Sequence, residues 1–582
     1  MQTPRKLPYG MTNFETIRLE NYYYVDKTSF IPEIESANRF FFYIRPRRFG
    51  KTLHMAMLRH YYDIAMQDRF EALFKGLYIY DHPTPERNSY LVLWISFASM
   101  SGSIEGYVDR MNDVCRGKID SFCDTYARFL LPGTKEYVME ARDAATMLSR
   151  LCEMLSKAGR KMYLFIDEYD HFTNSILSDP AGMDNYKAQT HGNGALRSFY
   201  DAIKDGTTNA IGRVYITGVS PVTMDDLTSG FNIGTNYTDA PEFNGMIGFS
   251  EPEVRAMLGY YSGFKTFNHS VDGLLDIMRP WYDNYCFSPR CIGEPTLFNS
   301  DMVLYFLDQY LRYGCQPPMN MIDDNIRTDY SKIRMLIRRD KEFAHDASIL
   351  QKIVQDGGIT GTLKRSFPSE TVTDPDNFLS LLYYFGMLTL SKASIRRMEF
   401  VIPNQVVREQ IYGYMLLTYN DIDLKSENYR RGDLSSRLAE TGDWRPYFNY
   451  IAECLKRYSS HRDKQKGEAY VHGFTLAMVS LCDGFIPISE AETGVSTGYA
   501  DIYLQPLLGI FPQLEHSYIV ELKYAKGSDP ESRVQQLRRE AIDQANRYAA
   551  SDLVQTTKGH TTLHKLIAVY HGMEMVVCEE VE

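Results

Sequence analysis

Phe40-Phe-Phe-Tyr-Ile44 runs directly into Arg45-Pro46-Arg47-Arg48-Phe49-Gly50-Lys51-Thr52, and a helical pattern follows. An apolar strand, a glycine-bearing turn and a helix start form the context in which a phosphate-binding loop works. The first amides of such a helix lack partners within it, and its dipole favours negative charge at that end. Lys51 is placed to reach the β- and γ-phosphates of a nucleotide, the Thr52 hydroxyl to ligate Mg²⁺, and Gly50 to let the backbone approach closely. Arg45 to Thr52 is therefore the candidate nucleotide-binding segment. The strict G-x-x-x-x-G-K-T pattern fails at one residue, because Arg45 stands where the first glycine belongs.

About 115 residues further on, Tyr163-Leu-Phe-Ile-Asp167-Glu168 is an apolar run ending in two acids. Hydrolysis of a Mg²⁺-bound nucleotide needs that pairing. Asp167 would hold the metal through water, and Glu168 would orient or deprotonate the attacking water. The alternative is that both acids cap the next segment. Thr217 ends the run Arg213-Val-Tyr-Ile-Thr217, where it is either a sensor of the γ-phosphate or an ordinary strand-end threonine. Leu91 to Phe97 is another buried strand candidate. Helical patterns lie at roughly 104–128, 137–158 and 194–205, so the first 270 or so residues read as α/β.

The texture then becomes helical. Phe378 to Leu390 reads as a helix, a turn at Gly386 and a strand, and a second strand returns from Met398. This is a winged-helix-like pattern. From about 426 the order is helix, strands, helix, strand. Val471, Phe474 and Met478 recur at helical spacing and put Glu468 near the start of an amphipathic helix. Tyr499 to Leu504 and Tyr518 to Tyr524 read as strands, Val534 to Tyr548 as an amphipathic helix, and Leu566 to Tyr570 as a closing strand. Side chains alternate along a strand, so Glu521 and Lys523 share a face while Leu522 points the other way. An Asp501 facing Glu521 across paired strands supplies two hard oxygen ligands for Mg²⁺. Lys523 beside them can position the attacking water and stabilise charge on a phosphate.

Several motifs together resemble the bacterial AAA-ATPase-like proteins: RPRRFGKT (45–52), YYYVDKTSFI (22–31), LFIDEYD (164–170), ITGVSPVT (216–223), WYDNY (281–285), FLSLLYYFGMLTL (378–390) and VIPNQVVRE (401–409). In that family the loop usually reads Arg-Pro-Arg-Arg-Phe-Gly-Lys, and a nuclease-like domain typically closes the chain. The C-terminal set D-x(n)-E-x-K resembles the PD-(D/E)XK nucleases. That resemblance implies a further acid, matched here by Glu468, and a Gln-x-x-x-Tyr helix, matched by Gln544 and Tyr548. No proline directly precedes Asp501; the residues are Tyr499 and Ala500. VDKT (25–28) has no chemistry derivable from its residues, and packing and base recognition both remain open for it.

The expected fold class is multidomain α/β: a P-loop NTPase with a parallel sheet (1–275), a helical and winged-helix-like linker (276–425), and a restriction-endonuclease-like domain (426–582). A chain of 582 residues has room for these at ~150 residues per domain. The catalytic residues expected are Glu168, Asp501, Glu521 and Lys523, and the metal ligands Thr52, Asp167, Glu468, Asp501 and Glu521. ATP and Mg²⁺ are the expected cofactors, with Mn²⁺ an alternative at the nuclease site. The expected activity is ATP hydrolysis with metal-dependent cleavage of nucleic acid under nucleotide control. The rival is a nucleotide switch whose nuclease-like domain only binds.

Nucleic acid, DNA ahead of RNA, is the expected partner, with homo-oligomerisation open. Because the net charge is −11, such a partner would need a local basic surface. Candidates are Lys526, Arg533, Arg538, Arg539 and Arg547, or Lys392, Arg396 and Arg397 on the hairpin. Each set reads equally as a solvated face. No apolar run spans a bilayer and no secretory leader is visible, so no membrane association is expected. Nine scattered cysteines without a C-x-x-C pair fit a reducing cytoplasm and argue against a zinc site.

Overall fold

The structure, a computed structural model, describes residues 3–98, 100, 106–171, 194–222, 233–323, 349–368, 371–372, 374–395, 397–418, 424–458, 467–489 and 501–582. Thr223, Arg396, Tyr499 and Ala500, singled out above, lie outside them.

Five strands build the first sheet: β1 (Phe40–Ile44), β2 (Leu91–Ser96), β3 (Met162–Asp167), β4 (Ile211–Gly218) and β5 (Thr235–Asn236). All pair in parallel, in the order β2-β3-β4-β1-β5. Parallel strands need crossovers, and helices such as Lys51–Tyr62, Ala144–Lys157 and Ala195–Gly206 supply them. With both faces covered, nearly every residue of β1, β3 and β4 is buried, which is why β1 and most of β3 read as apolar runs, while β4 carries a buried Arg213. β4 lies between the loop strand β1 and the acid strand β3, so Lys51, Asp167 and the end of β4 meet at one sheet edge. The 137–158 pattern is two helices, Thr134–Met139 and Ala144–Lys157, the second capped by Asp143 accepting from the Thr146 amide.

A two-stranded pair, β6 (Phe249–Ser250) and β7 (Leu297–Phe298), accompanies the helices Glu251–Ser262, Val271–Tyr282 and Ser300–Arg312, which share one core. The winged-helix-like pattern is the helix Pro375–Tyr384, a left-handed turn at Gly386 (φ 78°), and an antiparallel sheet β8-β10-β9. Its strands are β8 (Ile359–Gly361), β9 (Thr389–Ala393) and β10 (Met398–Val401).

The last sheet is mixed, in the order β11-β12-β13-β14-β15. Its strands are β11 (Phe485–Ser489), β12 (Ile502–Pro506), β13 (His516–Ala525), β14 (Thr562–His571) and β15 (Glu574–Val581). β13 and β14 pair in parallel around the crossover helix Glu531–Ala549, and the other pairs are antiparallel. Two expectations need correction. β14 does not close the sheet: β15 follows it, and its alternation of exposed and half-buried residues, with Glu574, Glu579 and Glu580, hid it as a strand. The Glu468–Val479 helix is not amphipathic, because almost every residue from Tyr470 onward is buried.

Candidate functional sites

At the edge of the first sheet the loop turns on two left-handed residues, Arg48 (φ 66°) and Gly50 (φ 97°), before the helix starts at Lys51. A left-handed turn suits glycine and strains arginine. Arg48 is held there by its guanidinium on Asp301 at 3.0 Å, while the Ser300 hydroxyl and the Asp301 amide both donate to the Arg48 carbonyl. Lys51 is half-buried, and its Nζ donates to the Arg45 and Pro46 carbonyls at 2.9 and 2.8 Å. Burial lowers its pKa to about 8, against the pull of Asp167, Asp170 and Glu168.

The Thr52 hydroxyl donates to Asp167 Oδ2 at 3.1 Å. Burial, with Glu168 beside it, raises the Asp167 carboxyl to about 6. Glu168 takes a left-handed backbone (φ 51°), and its own pKa is lowered, chiefly by a hydrogen bond with His171. A hydroxyl and a carboxylate already paired, with a second acid adjoining, are the hard oxygen donors that Mg²⁺ takes. These groups line a cleft of about 370 Å³ together with Arg47, Arg48, Phe49, Gly50 and Lys51.

Three residues of the expected nucleotide set have other work. Arg45 is 1 % exposed, and its guanidinium donates to the carbonyls of Ile44, Thr238 and Phe243 between the rings of Tyr43 and Phe287. It replaces the first glycine as a strut under the loop, and only its carbonyl faces Lys51. Pro46 packs at Gly386, where a Cβ would lie 2.8 Å from it, and does not line the cleft. The Thr217 hydroxyl is buried and donates to the Tyr43 carbonyl at 2.7 Å, so in this arrangement it ties β4 to β1. Sequence reading missed Asp170. This buried acid accepts from the Val219 and Ser220 amides at 3.1 and 2.5 Å and couples the acid strand to the end of β4. Gly218 makes room for it, since a Cβ there would sit 2.3 Å from Asp170 Oδ1. LFIDEYD contained the signal, a third acid three residues after Asp167.

In the last sheet, Ile519 lies on the face covered by the Glu531–Ala549 helix, and Val520 and Leu522 lie on the opposite face. Alternation therefore sends Glu521 and Lys523 to the helix-covered face. Asp501 directly precedes β12, whose Ile502 pairs with Val520. Its Oδ2 accepts from the Leu522 amide at 2.7 Å and lies 3.6 Å from Lys523 Nζ, which is 3.4 Å from Glu521 Oε2. Glu521 is 1 % exposed, and its Oε1 has no hydrogen-bond partner. Burial, then Asp501, push its carboxyl well above the usual range, with Lys523 pulling back. Burial works against the Lys523 charge, but Asp501 and Glu521 outweigh it and raise its pKa. A buried carboxylate with one orphaned oxygen beside a second acid fits a divalent cation.

Glu468 is exposed in the first turn of its helix and adds its field to Lys523. Among the described residues no three His, Cys, Asp or Glu side chains gather as a metal group, so this arrangement does not bring Glu468 together with Asp501 and Glu521. His472, one turn further on, was not foreseen; its Nε2 meets the Asp501 carbonyl at 3.0 Å. Gln544 has a buried, unpartnered Oε1, and Tyr548 packs in the core 6.2 Å from the Tyr503 ring. The basic candidates are largely engaged. Arg538 pairs with Glu579, Arg533 with Glu540 and Lys392 with Glu399, while Arg397 donates to the Thr360 carbonyl. Among the described residues no helix is long and apolar enough to cross a membrane.

Comparison with known proteins bears on both sites. Residues 8–228 match the family model described as "Predicted AAA-ATPase", and residues 466–580 match that of the PD-(D/E)XK nuclease superfamily. The chain is also 27 % identical over 314 residues to "Uncharacterized protein in vnfD 5'region" of Azotobacter chroococcum mcd 1. That match covers 53 % of each chain, so it spans about half the length of the relative. An AAA-ATPase-like domain at one end and a PD-(D/E)XK nuclease superfamily domain at the other are thus what the chain carries, as its motifs implied.

Proposed function

We propose that the protein binds and hydrolyses ATP in the Lys51 cleft and cleaves nucleic acid, DNA in preference to RNA, at Asp501, Glu521 and Lys523, with nucleotide state controlling the cut. The observation that carries the cleavage reading is Glu521, a buried carboxylate with an unpartnered oxygen held 3.4 Å from a half-buried lysine. A fold spends stability on such a group when it has a use for it. Asp501 and Glu521 would hold Mg²⁺ or Mn²⁺, which when bound polarises the phosphate and lowers the pKa of water. Lys523 holds a proton donor beside the attacked phosphate and offsets charge that develops there. In the other cleft Lys51 would release the carbonyls of Arg45 and Pro46 to meet phosphate oxygens, Thr52 and Asp167 would hold Mg²⁺, and Glu168 would orient water. The nine free cysteines support a cytoplasmic setting. Self-association through the nucleotide face would be one way for ATP to exert control.

One observation favours a second reading, a nucleotide switch that grips nucleic acid or protein without cutting. Two of the four arginines on the Glu531–Ala549 helix, Arg538 and Arg533, are spent on ion pairs with Glu579 and Glu540. The deciding assay incubates purified protein with Mg²⁺ or Mn²⁺, with and without ATP, on DNA and RNA substrates. Cleavage lost in Asp501→Ala supports the first reading, and binding without any cleavage supports the second.

A further inference from the structure

The VDKT segment (25–28) resisted a chemical reading, yet each polar side chain in it has a distinct task. Asp26 Oδ1 accepts from the Thr28 amide and hydroxyl at 2.8 and 2.7 Å, and its Oδ2 accepts from the Tyr78 amide at 2.7 Å. The Thr28 hydroxyl in turn accepts from the Ile79 amide at 3.2 Å. Asp26 and Thr28 therefore bolt the segment to the Tyr78–Asp81 turn. Lys27 serves a different element. Its Nζ donates to the Gly245 carbonyl at 2.9 Å and pairs with Glu253 at 2.7 Å. Glu253 also accepts from the Ser250 amide at 2.8 Å and closes the capping box of the Glu251–Ser262 helix. A single carboxylate thus joins Lys27 to the start of that helix.

Lys27 lines the nucleotide cleft. Besides the polar loop residues, its lining includes the apolar side chains of Tyr23, Tyr24 and Val25 and of Ile247, Phe249 and Met257. Phosphates drawn to the Lys51 helix start leave the rest of a nucleotide to meet this apolar lining, against which a planar ring packs well. These two apolar groups come from separate parts of the chain, joined by the Lys27–Glu253 pair and by the Tyr23 ring, 5.2 Å from that of Tyr260. A half-buried ion pair returns little net stability, but it fixes geometry, and removing one partner leaves the other charge without its counter-ion.

We infer that Lys27 is a positioning residue for the nucleotide base: through Glu253 it holds the Glu251–Ser262 helix against the 23–25 segment and so sets the width of a slot for a planar heteroaromatic base. This rests on the reading of the cleft as a nucleoside triphosphate site. The slot contributes affinity through the base, while the loop contributes it through the phosphates.

Calorimetric titration with two probes, ATP and inorganic tripolyphosphate, separates the two contributions. In Lys27→Met, ATP should bind at least about tenfold more weakly, a truncated half-buried partner being worth that or more. Tripolyphosphate affinity should stay within about twofold, and Lys27→Arg, which keeps the pair, should recover most of the ATP affinity. Glu253→Gln, which keeps its shape and cap bonds, should repeat the Lys27→Met pattern and serves if that variant folds poorly. Equal loss for both probes, or no loss for ATP, in folded variants overturns the proposal. If the unaltered protein binds neither probe, the nucleotide reading itself falls, which is a different result from loss confined to ATP.

Discussion

Gly509 sits directly on Ile277: a Cβ at Gly509 would lie 2.7 Å from Ile277 Cγ1 and 3.1 Å from its Cδ1. Ile277 belongs to the Val271–Tyr282 helix, which shares a core with Met257 and Leu304, two residues that line the nucleotide cleft. Leu507 and Ile510, flanking Gly509, pack against the same core. The 507–510 turn leaves β12, the strand that Asp501 opens. One apolar core thus touches the nucleotide cleft on one side and the nuclease-superfamily domain on the other.

Control of one site by the other would pass through this contact. A wedge here should uncouple the sites while leaving each intact. Gly509→Leu is expected to cost about 1–3 kcal/mol, as overpacking does. Basal cleavage and ATP affinity should stay near their starting values, and the effect of ATP on cleavage should fall toward none. Coupling of this kind is usually about 1–3 kcal/mol, or about 5–150-fold. Cleavage rates with and without ATP, compared in both proteins, measure it. An ATP effect of unchanged size would place the coupling elsewhere.

The nucleotide cleft predicts a split between binding and turnover. Lys51→Ala removes the ammonium at the loop's helix start and should abolish ATP binding. Glu168→Gln keeps shape and hydrogen bonding but not the charge that orients water. It should bind ATP normally and hydrolyse it about 10²–10⁴-fold more slowly, the usual worth of a positioned base. Equilibrium binding and steady-state phosphate release give the two readouts. Unchanged ATP affinity in Lys51→Ala would remove the assignment.

Arg45 yields the opposite of what the glycine pattern suggests. Arg45→Gly restores the textual motif but removes the buried guanidinium that donates to the Ile44 and Thr238 carbonyls, while the Phe243 carbonyl keeps the Tyr43 hydroxyl. An unsatisfied buried group costs about 1–3 kcal/mol. The substitution should therefore destabilise the first domain by several kcal/mol and improve nucleotide affinity not at all. Denaturant unfolding followed by fluorescence tests the first part, and ATP titration of the folded fraction tests the second.

The contrast between Arg45 and Lys51 shows where the sequence was legible. Strand, loop and helix follow one another locally, so Gly50, Lys51 and Thr52 could be placed from spacing alone. The acids of β3 end an apolar run and were equally plain. Arg45, Thr217 and Asp170 are decided by what β4, the 238–243 segment and Phe287 bring to them, and none of that is local. The same holds at the other end. Alternation put Glu521 and Lys523 on one face correctly, but whether Glu468 reaches them depends on how its helix lies against the sheet. β15 was lost because a half-exposed edge strand with three glutamates in Glu574–Val581 lacks the apolar run that marked the others.

The second site predicts an unusual pairing of stability with metal response. Without a cation, burial and Asp501 both disfavour charge on Glu521, and one of its oxygens has no partner. Glu521→Gln removes that charge at nearly constant volume, so the metal-free protein should be as stable as before or more so. A bound cation reverses the balance, since anything that binds only the folded state stabilises it, by about 2.7 kcal/mol at a hundredfold excess over Kd. Mn²⁺ should therefore raise the melting temperature of the unaltered protein and leave that of Glu521→Gln and Asp501→Ala unmoved. Lys523→Ala removes no ligand, so it should keep the Mn²⁺ response and lose about 10²–10³ of the cleavage rate, as removal of one charge-stabilising donor does. Thermal melts with and without Mn²⁺, beside cleavage assays on the same preparations, separate ligand from catalyst. If Glu521→Gln melts far below the unaltered protein in chelator, Glu521 is a structural partner of Lys523 and the cation site lies elsewhere.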